Sequence, residues 1–140
     1  MLWTEAKTRI ASLITTGTRL ARSAKSARQV LAVNHGCTRH GYGGESGFLV
    51  RIGLTSAETI DIPWSMLEAC FSDLTAGGYD GEAFRRRYPK QAFVHPCHVH
   101  TVGQLLVLGG VATSDGRKQA RYTIVGGVGN EPQRPLGSIP

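Results

Sequence analysis

The sequence predicts a mixed α+β fold, and three observations predict it. Short runs alternate apolar and polar residues with a period of two. Longer segments carry apolar stripes at helical spacing, several with start and stop signals. Glycine-rich turns separate the two kinds of segment. With 140 residues, 41% of them hydrophobic, the chain is long enough to bury one core.

The first element expected is a helix, because Ala6, Ile10, Leu13 and Ile14 share one face and Thr4 is placed to cap it. Thr15-Thr16-Gly17 interrupts that pattern. A second helical segment is expected over 18–33, where Leu20, Ala24, Ala27 and Leu31 are spaced three or four apart. It is poor in large apolar groups, so residues 1–33 read as a helical arm. Residues 34–47 read as a loop. Phe48, Val50 and Ile52 then alternate with Leu49, Arg51 and Gly53, and Ile60 and Ile62 repeat the pattern, which predicts a β-hairpin. Ser65 and Glu68 have capping-box spacing before a stripe of Met66, Leu67, Cys70, Phe71 and Leu74. Gly77-Gly78 supplies the stop. Asp80 is placed to cap a second helix that buries Phe84 and Tyr88 and ends at Pro89. Pro96 opens a third, with Val99, Val102, Leu105, Leu106 and Leu108 as its stripe, ended by Gly109-Gly110. Val111–Thr113 and Ala120–Val125 flank Asp115-Gly116 as a second hairpin with a basic tip. The segment 126–140, rich in Gly and Pro, reads as a flexible tail. Trp64 and Cys70 are expected to pack in the core.

The net charge is +6, and it is unevenly distributed. Residues 1–36 carry +5, with Arg19, Arg22, Lys25 and Arg28 among the cations; residues 37–80 carry −4 and residues 81–125 carry +5. Basic segments attract polyanions by replacing the counterions condensed on phosphate. No stretch reaches the roughly 18 apolar residues that a membrane span requires. The three cysteines are an odd number, and Met1–Ile10 holds no unbroken apolar signal segment. The expectation is a soluble, reduced, cytoplasmic protein.

A strand, three helices and a hairpin, in that order over about residues 58–125, resemble a winged helix-turn-helix domain. The resemblance is one of architecture and covers about half the chain. It implies that the third helix enters the major groove and that the hairpin contacts the neighbouring backbone. On that reading Arg85, Arg86, Arg87, Arg117, Lys118 and Arg121 contact phosphate, while His98, His100, Thr101 and Gln104 face the groove. The third helix carries no Arg or Lys, a departure from the commonest base-reading chemistry. The expected function is non-catalytic nucleic-acid binding, to DNA rather than RNA, with no cofactor. The first alternative is a protein-binding or self-assembling unit that associates through the N-terminal helices.

The second alternative is a zinc protein. His35, Cys37 and His40 form one window and His95, Cys97, His98 and His100 another, so all five histidines fall in two short segments. Zinc takes four such ligands, commonly as two pairs from separate segments. If a metal is held, His35, Cys37, His40, His95 and Cys97 are its candidates. Neither window is a Cys-x-x-Cys knuckle. Catalysis is not expected: there is no nucleophile elbow, and Gly126-Gly127-Val128-Gly129 precedes no helical pattern, so it lacks the context of a phosphate-cradling loop.

Overall fold

The computed structural model describes residues 1–20 and 28–126. They form α1 (Trp3–Leu13), β1 (Gln29–Cys37), a 310 turn at Arg39–Gly41, β2 (Glu45–Arg51), β3 (Thr59–Pro63), α2 (Trp64–Thr75), α3 (Gly81–Arg87), α4 (Pro89–Val94), α5 (His98–Leu108), β4 (Ala112–Ser114) and β5 (Tyr122–Ile124). The fold is mixed α+β, with a three-stranded antiparallel sheet β1-β2-β3 and a two-stranded antiparallel sheet β4-β5.

The alternation from Phe48 onward does what the pleat requires. Phe48 and Val50 of β2 and Ile60 and Ile62 of β3 point into one core, where Met66, Leu67, Cys70, Phe71 and Leu74 of α2 meet them. Trp64 is half-buried and packs against Phe48, with ring centroids 5.1 Å apart, and against Trp3 at 6.1 Å. Ala6 and Ile10 of α1 are fully buried in this same core. The first helix is therefore part of the body and not a separate arm.

Three local expectations are corrected. The segment after Arg28 is strand β1, paired with β2, and not a continuation of a second helix. At its start Arg19 forms an antiparallel bridge with Gln29, and residues 21–27 of that expected helix lie outside the described residues. Val30 and Ala32 pair with Val50 and Leu49 of β2, and tertiary pairing overrides weak helical spacing. The expected loop over 34–47 holds the end of β1, the 310 turn and the start of β2. The capping box at Ser65 does not form. The helix starts at Trp64, and the Glu45 carboxylate takes both the Ser65 backbone N–H, at 2.7 Å, and its hydroxyl, at 2.8 Å. A carboxylate at a helix N-terminus accepts charge-assisted bonds and meets the positive end of the dipole, so it displaces the local cap.

Two start signals also miss: Thr4 lies inside α1, whose N-cap is Leu2 without a side-chain cap, and Pro96 precedes Cys97, the N-cap of α5. The signals around α2 and α3 act as read. Gly77 and Gly78 take φ of 132° and 148° after α2. Asp80 accepts from the Ala83 N–H at 3.0 Å and caps α3. Tyr88 leaves the helical region because it precedes Pro89, and Pro89 then opens the additional short helix α4. The helix α5 ends at Gly109.

The hairpin β4–β5 follows α5 directly and is held to the helices by two tyrosines. Tyr122 pairs its backbone with Tyr79, a single bridge between α2 and α3 that adds a third short edge. The Tyr122 ring lies against Gly103 of α5, where any Cβ would overlap it. Tyr79 is fully buried and its hydroxyl donates to the Val99 carbonyl at 2.8 Å.

Candidate functional sites: a basic hairpin face and a polar cleft

The basic side chains singled out from the sequence lie around α3 and the β4–β5 hairpin. Arg85, Arg86 and Arg87 occupy the exposed last turn of α3. Arg117, Lys118 and Arg121 are exposed on and beside the hairpin tip. Asp115 shapes that tip: its Oδ1 accepts from the backbone N–H of Arg117, at 3.0 Å, and of Arg121, at 3.2 Å. This is an Asx turn, at the place where Asp115-Gly116 predicted a hairpin turn.

These cations are largely paired. Arg87 makes two bonds to Asp73, at 2.9 and 3.1 Å. Arg121 bonds Asp80 at 2.8 Å and the Gly77 carbonyl at 3.1 Å. Arg86 lies 3.6 Å from Glu82 and Arg117 lies 3.9 Å from Asp115. Six cations (Arg85, Arg86, Arg87, Arg117, Lys118, Arg121) lie with four carboxylates (Asp73, Asp80, Glu82, Asp115), a local balance of +2. Asp73 and Asp80 belong to the segment that looked acidic and separate, but folding sets them among the arginines.

The helix α5 divides the groove residues. His100 and Gln104 are partly exposed, and His100 Nδ1 lies 3.3 Å from the Tyr122 hydroxyl, which ties this face to the hairpin. His98 and Thr101, by contrast, are 1% and 0% exposed and point into the protein. Thr101 spends its hydroxyl on the Cys97 carbonyl at 2.8 Å. Sequence spacing could not tell which side of so apolar a helix would be covered.

The inward face of His98 belongs to a second site. A cleft of about 370 Å³ is lined by Arg39, His40, Ala57, Thr59, Ile60, Asp61, Val94, His95 and His98. It lies where the edge strand β3 and the 310 turn meet α4 and the start of α5. Asp61 alternates with Ile60 and Ile62 and so faces away from their core, yet it is only 3% exposed. Its Oδ2 accepts from the backbone N–H of Thr38, at 3.0 Å, and of Arg39, at 3.3 Å. Its Oδ1 lies 3.3 Å from His35 Nε2 and 4.0 Å from Arg39, within ion-pair reach but without hydrogen-bond alignment. Both contacts are electrostatic only. The Arg39 guanidinium is held by the Thr59 carbonyl, at 2.5 Å, and the Thr59 hydroxyl, at 2.6 Å.

Irregular backbone aims the histidines. The β1–β2 register shifts just before His35, with Asn34 at φ 52°. His40 is itself left-handed at φ 52°, and its ring stands 6.2 Å from that of His98. Phe84 stacks on the other side of His98, at 5.8 Å. His98 Nδ1 lies 2.8 Å from the His95 carbonyl oxygen. A carbonyl only accepts, so Nδ1 carries the proton. Burial lowers the His98 pKa to about 4, so the ring is neutral near pH 7 and Nε2 presents a lone pair. That buried Nε2 has no hydrogen-bond partner among the described residues. Burial, with the nearby Lys90 charge second, also lowers the pKa of His40.

The metal candidates divide the same way. His35, His40 and His95 surround the cleft region. Cys37 is fully buried, bonds the His35 carbonyl, and has its thiol pKa pushed up to about 12 by burial. Cys97 is half-buried at the N-cap of α5. Among the described residues no three such side chains converge to hold a metal ion. No described helix is long and apolar enough to cross a membrane. Asp61, Arg39 and Thr59 were not singled out from the sequence; an acidic residue inside an alternating apolar strand was the one signal available. No family model matches the chain, and neither a curated protein nor a solved structure is significantly similar to it.

Proposed function

We propose that the protein binds nucleic acid, duplex DNA in preference to RNA, without catalysis, through a winged-helix arrangement of α2, α3–α4, α5 and the β4–β5 hairpin. One observation carries this reading: the hairpin follows α5 directly, takes Tyr79 from between α2 and α3 as a third edge, and holds exposed Arg117, Lys118 and Arg121 beside the α5 face of His100 and Gln104. That is the relation of wing to recognition helix. Arg85, Arg86 and Arg87 add phosphate contacts from α3. His100 and Gln104 are the side chains placed for bases, and His98 and Thr101 drop out because they are buried. With two polar residues on the reading face, contacts to backbone dominate and discrimination among sequences is weak.

The ion pairs set the size of the effect. A local balance of +2 gives a slope of log affinity against log salt of about −1.8, and an affinity loss of about 12-fold between 50 and 200 mM salt. Fluorescence-anisotropy titration of duplex DNA over that range checks it. An affinity that does not change with salt would refute the proposal, and an Arg117/Lys118/Arg121→Ala variant should lose most of the slope.

A further inference from the structure

The short helix α4 is covered on one side only. Gln91 and Ala92 are buried against the body, whereas Lys90, Phe93 and Val94, at spacings of three and four, share the outer face. Phe93 is 87% exposed and Val94 47%. Leu54, in the turn between β2 and β3, is also 87% exposed. Leu54 and Phe93 are the two most exposed large apolar side chains among the described residues. One exposed apolar side chain is ordinary, but neighbouring elements that both present them mark a contact surface. The two elements are neighbours, because Val94 of α4 and Ala57 of the turn line the same cleft.

The charges on this face are of both signs. Lys90 is exposed beside Phe93, and its charge reaches His40 across the cleft. Glu58 is exposed at the end of the turn, with its carboxylate folded back over Gly53. Neither side chain forms an ion pair among the described residues, unlike Arg86, Arg87, Arg117 and Arg121 around the hairpin.

A patch with charge of one sign fits a partner of the other sign. Here α4 carries apolar groups and a cation, and the turn carries apolar groups and an anion. Such a surface complements itself. A two-fold axis through the cleft lays Phe93 and Val94 of one copy over Leu54 and Ala57 of the other and sets Lys90 opposite Glu58, twice by symmetry. An acidic partner, a basic partner or an anionic membrane would each leave one of the two charges unmet. The patch holds few side chains, fewer than a standard interface of about 800 Å² per partner, so the association it supports is weak.

We infer that the face formed by Phe93, Val94, Leu54 and Ala57 joins two copies of this chain in an isologous dimer, with Lys90 of each copy against Glu58 of the other. Phe93 is the anchor, since an aromatic ring removes the most apolar area from water. The face lies away from the hairpin: His98 lines the cleft, while His100, about 200° further round α5, lies beside Tyr122. The dimer therefore leaves the basic surface open and does not depend on what that surface binds.

Sedimentation equilibrium of the full chain from about 1 to 200 μM tests it. A monomer–dimer equilibrium is expected, with a Kd of about 10 to 100 μM. Phe93→Asp should weaken it by about tenfold or more. Lys90→Glu and Glu58→Lys should each weaken it about fivefold, and the two together should restore it to within about threefold of the original. Leu13→Lys, at an exposed apolar position of α1, should leave it unchanged. All four positions are exposed, so the circular dichroism spectra should superpose and any loss reads the contact rather than the fold. A monomer throughout the range, a trimer or open-ended series, full association of Phe93→Asp, a double charge variant no tighter than the single ones, or loss of the dimer in Leu13→Lys would each overturn the assignment.

Discussion

Around the cleft, Asp61 and His98 are 3% and 1% exposed, and their partners are backbone amides and carbonyls. Around the hairpin, Arg121, Arg87 and Arg117 sit at solvent and are paired with carboxylates 41, 14 and 2 residues away in sequence. The two regions hold charged and polar groups under opposite conditions. At the hairpin water competes with every pair, so each is worth little and each arginine is readily redirected to another anion. In the cleft there is little water to compete, so the geometry is fixed and an unmade bond is costly. The comparison predicts a steep hierarchy of effects.

The largest should come from Asp61→Ala. It strips two backbone N–H groups of their acceptor and leaves Arg39 and His35 without the buried carboxylate, at a cost of about 4 kcal/mol in urea unfolding. A loss below about 1 kcal/mol would place Asp61 with the hairpin carboxylates and erase the contrast.

Next is pH. Burial is the main cause lowering the His98 pKa from 6.5 to about 4, and burial lowers that of His40 in the same direction. Above about pH 6.5 folded and unfolded chains both carry a neutral His98, and its contribution is complete. Between pH 6.5 and about 4 only the unfolded chain takes up the proton, so stability falls as pH falls, and below about 4 that loss levels off. The His98 shift corresponds to roughly 3 kcal/mol. The urea midpoint measured from pH 7.5 to 4.5 should fall accordingly, and His98→Leu should flatten the curve. Parallel curves for the two proteins would show that His98 does not set it.

An intermediate effect is expected where the hairpin meets the helices. Gly103→Ala would drive a methyl into the Tyr122 ring and cost about 2 kcal/mol by overpacking. It should also weaken DNA binding, because the hairpin would shift relative to α5. Lost stability with unchanged DNA affinity would uncouple the two.

The smallest effect on stability belongs to Asp73→Ala. The Arg87–Asp73 pair is exposed enough that its loss should cost under about 1 kcal/mol. The same change frees Arg87 for phosphate and should steepen the salt slope for DNA by about one. An unchanged slope would remove Arg87 from the interface.

Much of this molecule can be read from its sequence. The alternation at Phe48–Ile52 and Ile60–Ile62, the stripe of α2, the glycine stop after it, the Asp80 cap and the turn at Asp115-Gly116 were all legible, because each rests on a local rule of period or backbone preference. The strand β1 was not, since Leu20, Ala24, Ala27 and Leu31 are spaced as on a helix and only β2 alongside decides for the strand. The Glu45 cap of α2 spans 20 residues and leaves no local trace. The division of the histidines was also hidden: His98 and His100 are equal in sequence, and only the packing of Phe84 and β3 against one side of α5 decides which is buried.

By itself, then, the sequence determined the mixed fold, the positions of most helices and turns, and a basic surplus near the C-terminal hairpin. Those follow from side-chain periodicity and φ preferences, which act within a few residues. Only the tertiary structure decided that Asp73 and Asp80, outside that segment, join the basic surface and reduce its balance to +2. It alone also set Asp61, Arg39 and His98 around one cleft. Electrostatics and burial depend on distance in space, and chain spacing does not encode that distance until the core has formed.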